Sequence, residues 1–384
     1  MKKILSMLVF AALIISCSNT DPVPGDDNIN NPIPEDVIPD DSTSEDGSTD
    51  ESTSEDSNAE NTVSEVNIIN DPYEGIDWET VYRLKAGLHV HTVNSTIEHG
   101  VEEGTTVTPA EQIARYEELG YDVLAITDHD YVTYPWSEYG KEDSQMISIK
   151  GNEFSKNDNF CAYFCDWLDL PGEGPEKTVG FEESVKLASE AGAVIYLAHP
   201  MRSGSIKNPI YSARILRKYP QVYGIEVLNV GQFQKNNSIE LWDKLLTELI
   251  HERQVWGTSS DDAHSTGKAG YGWTIFLTTE RTEEAVKDAL MNGNSFFSTP
   301  KMVTVPKLKV TPTITSITHD KTLKTLTITA TDHERVEWTS MGQVVATGET
   351  INYASVEGID KYLRATVYGL GGATFTQPWT VEVK

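Results

Sequence analysis

Apolar and polar positions along the chain follow four successive patterns. Residues 4–15 are an apolar run, interrupted only by Ser6, behind Lys2 and Lys3, too short for a spanning helix and shaped like a signal-peptide core. Over 18–70 the apolar periodicity is lost. From Leu84 onward, short apolar runs alternate with helical segments. The pattern predicts strands over 122–127, 147–153, 160–167, 193–198, 223–228, 255–259 and 273–278, and helices over 181–191, 210–218, 238–252 and 283–291. Thr108-Pro109-Ala110-Glu111 is a capping box with proline at the first helical position, and Gly120 stops the helix that it opens. After Pro300 short period-two segments take over, as in 326–330 and 362–367, with 369–372 reading as a glycine turn.

Strand–helix alternation around one core predicts an α/β fold, a distorted TIM-like barrel. The period-two segments predict a small all-β, immunoglobulin-like sandwich. The expected organisation is a lipoprotein signal peptide over 1–17, a disordered acidic tether over 18–70, the barrel over 71–305 and the sandwich over 306–384. Residues 18–70 hold 15 Asp and Glu and no Lys or Arg, so they cannot bury enough apolar surface to offset ordering entropy. Ile14-Ile15-Ser16-Cys17 resembles the lipobox of bacterial lipoproteins, which implies lipidation at Cys17. The expected location is the bacterial cell envelope, with the protein held to the outer membrane or cell surface through lipid alone.

The chain carries 30 basic and 59 acidic residues, a net charge of −29, of which −16 belongs to residues 71–384. That balance argues against a nucleic-acid polymer as partner and favours a small-molecule substrate. Three cysteines cannot build a disulfide framework.

The chemistry lies in where histidines and carboxylates fall. His89, His91, His129, His199 and His264 each lie at or just past the carboxyl end of a predicted strand, and such ends share one face of a parallel barrel. His89-Val90-His91 alternates by strand geometry, which puts both imidazoles on one side. Asp128, Glu153 and Asp262 fall at matching places. Imidazole and carboxylate together suit zinc, manganese or iron, and the count exceeds one tetrahedral ion, so two or three divalent ions are expected.

Five ordered segments carry a resemblance: 88–92 (LHVHT), 127–129 (TDH), 151–155 (GNEFS), 198–200 (AHP) and 261–264 (DDAH). They resemble the successive motifs of the PHP (polymerase and histidinol phosphatase) metal-dependent phosphoesterases, nearest to the carbaryl hydrolase-like, amidohydrolase-like branch. Segments 224–229 (GIEVLN) and 293–298 (GNSFFS) match as well. The resemblance spans about 85–300 and implies a distorted (β/α)7 barrel with a two- or three-metal centre. It implies His89, His91, Glu153, His199, Asp262 and His264 as ligands, with His129 serving the same cluster and Glu153 bridging. Glu153, His264 and Asp128 are expected to carry catalysis, Asp128 by orienting a histidine.

Two departures from the family pattern stand out. An insertion replaces its Ser-Asp-Gly turn, so the ligand there is expected to be Glu103, with His99 and Glu98 as alternatives. Asn159 stands where several relatives have a ligand histidine, which puts one metal position in doubt; Cys161 could be recruited but reads better as packing. Arg202, Lys207 and Lys268 follow the ligand motifs closely enough to hold a substrate phosphate. The implied function is a phosphoesterase acting on a small organic substrate through a metal-bridging hydroxide. The alternatives are carboxylic ester, carbamate or amide hydrolysis, which would want Tyr134, Trp136 and Trp273 lining an apolar pocket, and a binding lipoprotein with a degraded metal site.

Overall fold

The computed structural model describes residues 65–97, 100–101, 105–155, 158–165, 179–202, 204–229, 238–300 and 310–384. Cys17, the signal peptide, most of the tether, and Glu98, His99 and Glu103 lie outside the described residues.

The chain is a mixed α/β structure. Strand β1 (Val66–Asn70) comes first, then β2 (Tyr82–Gly87), a short hairpin of β3 (Thr96–Ile97) and β4 (Gly100–Val101), and helix α1 (Pro109–Glu118). The central sheet continues through β5 (Val123–Ile126), β6 (Ile147–Ser155), β7 (Asn159–Tyr163), β8 (Val194–Leu197), β9 (Val222–Asn229) and β10 (Trp256–Ser260). Pairs β2–β5, β5–β6, β8–β9 and β9–β10 are parallel, whereas β7 runs antiparallel to both β6 and β8. Helices α2 (Phe181–Glu190), α3 (Pro209–Lys218), α4 (Ile239–Leu249) and α5 (Glu283–Asn292) fill the connections. The strand expected over 160–167 ends at Tyr163 and closes a hairpin with β6, so the strand–helix cycle is broken there.

Beyond β10 the chain returns to the segment after β2. Val90 and Ala263 form a parallel bridge, flanked by hydrogen bonds from Asp262 N–H to His89 C=O and from His91 N–H to Ala263 C=O, both 3.0 Å. This contact brings His89 and His91 to Asp262 and His264.

Local signals explain the elements. Thr108 and Glu111 form the capping box of α1, and Asn208 caps α3 ahead of Pro209. Thr282 caps α5, which ends on the left-handed Gly293. In β9, a Cβ on Gly224 would lie 2.0 Å from the Trp256 carbonyl oxygen, so only glycine permits β9 and β10 to approach there.

The carboxyl-terminal strands do not form a separate body. Strand β11 (Trp273–Thr278) pairs with β2, and β12 (Ser295–Thr299) pairs with both β11 and β19 (Gly372–Thr376), so one sheet crosses residue 305. Strands β15 (Arg335–Ser340), β16 (Gln343–Thr347), β18 (Tyr362–Gly369) and β20 (Trp379–Val383) extend it, and β1 pairs antiparallel with β20. A second sheet of β13 (Thr313–Asp320), β14 (Thr325–Thr331) and β17 (Thr350–Asn352) packs on it through Ile317, Leu326, Ile328, Trp338, Leu363 and Trp379. That core also takes in Tyr73, Leu277 and Phe296.

Composition placed residues 66–70 in the tether, but Val66 is buried and the segment is ordered by its pairing with β20. The sequence pattern also set the barrel apart at 305, whereas Phe297 stacks on Phe375 at 5.2 Å across that border. Gln377 closes a two-way amide pair with the Gly257 backbone, accepting at 2.9 Å and donating at 2.8 Å. Arg364, buried, makes a bidentate pair with Asp243 on α4, both contacts at 2.8 Å.

Candidate metal centre

Seven predicted site residues meet in one buried cluster at the carboxyl ends of the central strands. Their order in space follows from the strands that carry them. A parallel bridge between His129 and Glu153 sets the loop after β5 against β6. His89 and His91 alternate as expected, with Nε2 atoms 3.1 Å apart. Glu153 lies at the centre: its Oε1 is 2.9 Å from His199 Nε2, and its Oε2 is 3.0 Å from both His89 Nε2 and His129 Nδ1. Asp262 Oδ1 lies 3.2 Å from His91 Nε2 and 3.5 Å from His89 Nε2. His264 stacks on His91 with ring centroids 4.2 Å apart and is the most exposed of the cluster histidines, at 17% of its side chain.

Three trios of these side chains have converging donor atoms: His91, His129 and His264; His89, His91 and Glu153; and His89, His199 and Asp262. A single imidazole nitrogen serves one ion at a time. The first and third trios share no residue and can be filled together, whereas the second draws on both. Glu153 reaches the His129 side with one oxygen and the His199 side with the other. Asp262 Oδ1 is buried, faces the His91 and His89 imidazoles and, among the described residues, makes no well-aligned hydrogen bond, as suits a carboxylate oxygen aimed at a cation. The donor set thus fits divalent ions of the imidazole- and carboxylate-binding type.

The electrostatics agree with that donor set. Burial works to raise the Glu153 carboxyl, but the facing His89 and His129 hold it well below the usual carboxylate range. Asp262 is likewise held down against its burial, by His89, His91 and His199. Burial favours neutral His89, yet the Glu153, Asp262 and Glu226 carboxylates outweigh it and push the imidazole well above its ordinary value. Backbone strain gathers at the same place. His199 and Asp262 have φ of 27° and 50°, left-handed values of the sort found at binding sites.

Other predicted residues fall elsewhere. Asp128 accepts from Thr92 Oγ1 at 2.7 Å and Ser95 Oγ at 2.9 Å, and reaches His91 only through Ser95, whose Oγ is 3.0 Å from His91 Nδ1. Asn159 donates from Nδ2 to Glu153 Oε1 at 2.8 Å, so it steadies the carboxylate. Arg202 stands at the rim, 43% exposed, with Nη1 4.0 Å from Asp262 Oδ2. Lys207 and Lys268 are exposed, the latter in the short turn Thr266–Lys268. Cys161 is buried beside His89, and burial pushes its thiol up. Three histidines outside the cluster have partners of their own: His251 the Val381 carbonyl, His319 Asp71 and Tyr353, and His333 Glu349.

Sequence reasoning assigned no role to Glu226, Asn229, Ser95 or Asp261. Glu226 and Asn229 lie in β9, where every residue from Gly224 to Asn229 is buried; a glutamate inside such a strand was the available signal. Asp261 accepts backbone N–H groups from Gly270, Tyr271 and Gly272 and the Tyr116 hydroxyl, all within 2.8 Å. It thereby pins the loop that carries His264.

No family model and no curated protein matches the chain. Among solved structures it is similar to a two-domain protein from Bacteroides vulgatus described as containing a predicted PHP-like metal-dependent phosphoesterase. There the identity is 16%, over 82% of this chain and 90% of that one, with a TM-score of 0.45. It is also similar to a lesion-specific endonuclease from Pyrococcus furiosus, at 14% identity over 56% and 57% of the two chains and a TM-score of 0.37. A Chromobacterium violaceum amidohydrolase, solved with sulfate and no metal, shows 15% identity over 46% and 87%, with a TM-score of 0.32. At these identities and TM-scores the likenesses carry no argument about activity.

Proposed function

We propose that this chain is a metal-dependent hydrolase of phosphate esters, with a two-ion centre in a seven-strand PHP-type barrel that the Val90–Ala263 bridge closes. The observation that carries the proposal is the pair of non-overlapping trios spanned by the two oxygens of Glu153. Ions held there would lower the pKa of bound water and neutralise charge developing on a phosphoryl group. The chain's own groups supply the rest. Glu153 holds the two halves of the centre in register, and Asp128 holds His91 through Ser95. Arg202, at the rim beside Asp262, offers a guanidinium fork to phosphoryl oxygens. His264, expected from the sequence to take part in catalysis, completes the His91–His129 trio at the open side of the cluster and turns its Nδ1 to the Asp262 carbonyl at 2.9 Å, so it serves as a ligand rather than as a proton carrier.

The aromatic residues that a carbamate-binding pocket would want are otherwise engaged. Trp136 is buried in the core with Ile113 and Tyr116, Trp273 lies under Lys85 Nζ at 4.7 Å, and Tyr134 under Lys150 Nζ at 5.1 Å. This favours the phosphoester over the carbamate. A panel of phosphate monoesters, phosphodiesters, carbamates and carboxylic esters, run on protein loaded with zinc, manganese or iron, tests the choice. Turnover is expected on a phosphate ester and is expected to fall at least tenfold in Arg202→Ala; turnover confined to carbamates or carboxylic esters would reject the assignment.

We infer further that Cys17 carries a lipid anchor in a bacterial cell envelope and that the substrate is a small molecule rather than a nucleic-acid polymer. The lipobox-like 14–17 and the net charge of −29 support this. Cys17→Ser is expected to move the protein from the membrane to the soluble fraction. Unchanged membrane association would assign the anchor to some other surface.

A further inference from the structure

Every member of the His89, His199 and Asp262 trio is tied to one pair of side chains on β9. Glu226 Oε1 lies 3.2 Å from His89 Nδ1. Glu226 Oε2 accepts the His199 backbone N–H at 2.7 Å and Asn229 Nδ2 at 3.0 Å. The same Asn229 nitrogen donates to Asp262 Oδ2 at 3.2 Å. Glu226 and Asn229 are both buried. In the other trio, His91 and His129 instead meet Ser95, through His91 Nδ1 and the His129 backbone N–H.

We propose that Glu226 and Asn229 are positioning residues that template one ion site, the His89–His199–Asp262 trio, and leave the His91–His129–His264 trio independent. The proposal rests on the metal-centre reading above and deepens it. A carboxylate at 226 only accepts, so its contact with His89 requires the proton on Nδ1 and leaves the Nε2 lone pair turned into the cluster. Its second oxygen holds the His199 backbone at a φ of 27°, a strained value that needs an external restraint. Both protons of the Asn229 amide nitrogen point at carboxylates, one at Glu226 and one at Asp262. The reverse amide orientation would set oxygen against oxygen, so the link has one sense.

Glu226→Gln makes the consequence specific. Three donors converge on the Glu226 carboxylate. A glutamine that keeps its oxygen toward His199 N–H and Asn229 must turn its Nε2 donor toward His89 Nδ1. The imidazole then has to carry its proton on Nε2, where the ion would bind. The shape is kept and one ion position is closed.

The test is metal content of the full chain, purified without chelator and loaded with zinc, with the bound ions located by anomalous diffraction. Wild type is expected to hold two ions and Glu226→Gln one, at the His91–His129–His264 trio. Asn229→Ala, which removes the tie to Asp262 and one donor to Glu226 but leaves the Glu226 contacts with His89 and His199, is expected to keep both positions but weaken the second ion roughly tenfold. Ser95→Ala is the converse arm and is expected to weaken the ion at His91. Two ions at wild-type affinity in folded Glu226→Gln would overturn the proposal, and so would an unchanged second affinity in Asn229→Ala if the glutamine variant does not fold. Wild type that binds no ion at all would instead overturn the metal-centre reading.

Discussion

Replacing Glu153 by glutamine is expected to abolish turnover and to empty the centre while leaving the fold intact. The side chain is fully buried, and both oxygens face imidazole nitrogens: Oε1 that of His199, and Oε2 those of His89 and His129. A glutamine keeps the volume but presents an NH2 group to one of those sets, where a second donor meets either an imidazole N–H or an ion. It also removes the negative charge against which His89 and His129 are balanced. Loss of groups that merely orient ligands costs about 10–100-fold in metal affinity or activity. A residue that spans both trios is expected to cost more, at least about 100-fold in kcat. Elemental analysis and steady-state kinetics on the same preparation check this, with circular dichroism to establish that the variant is folded. Full metal content with unreduced kcat would remove Glu153 from the centre.

Truncation after residue 305 is expected to leave a chain that does not fold. The cut removes β19, the partner of β12, and exposes Phe297, Phe296 and Leu277, which are all buried against the carboxyl-terminal strands. Each fully buried side chain of this size contributes roughly 1.5–3 kcal/mol. Asp243 would also lose Arg364 and the Tyr362 hydroxyl, its buried partners, and removing one side of such a pair costs about 3–5 kcal/mol. Together these losses approach the roughly 5–15 kcal/mol that holds a whole domain folded. The lost pairing of Gln377 with Gly257 loosens β10 itself, directly ahead of Asp262. Expression of 62–305 beside 62–384, compared by thermal unfolding, checks this. A soluble 62–305 fragment melting within a few degrees of the longer chain would show that this part folds without the carboxyl-terminal strands.

The sequence showed the central strands and the cluster far better than it showed the joins between elements. Ligand motifs are legible because strand alternation and strand ends fix where His89, His91, His129, His199 and His264 point, and five such ends can meet only on one face. The helix over 109–118 was legible from the Thr108–Glu111 capping box. What composition concealed was long-range pairing. Residues 66–70 follow an acidic low-complexity stretch, and their order comes from β20, more than 300 positions away. Residues 293–298 were matched to a family segment, but nothing local says that the strand over 295–299 pairs with 372–376 and fuses the two parts. Asp128 was placed near a histidine, while the intervening Ser95 was invisible because a serine at a loop position carries no periodic signal. Glu226 and Asn229 sat inside a segment already matched to the family, and only the contacts of their side chains reveal that they hold His89, His199 and Asp262 at once.

The central claim is that Glu153 spans two separate ion positions, and it is tested most directly by counting ions. The chain, stripped of metal and titrated with zinc, manganese and iron in turn, should bind two ions per molecule of at least one of them, with crystallographic anomalous signal on both sides of Glu153. Saturation below one ion per chain for all three metals, in protein that remains folded, would contradict the account.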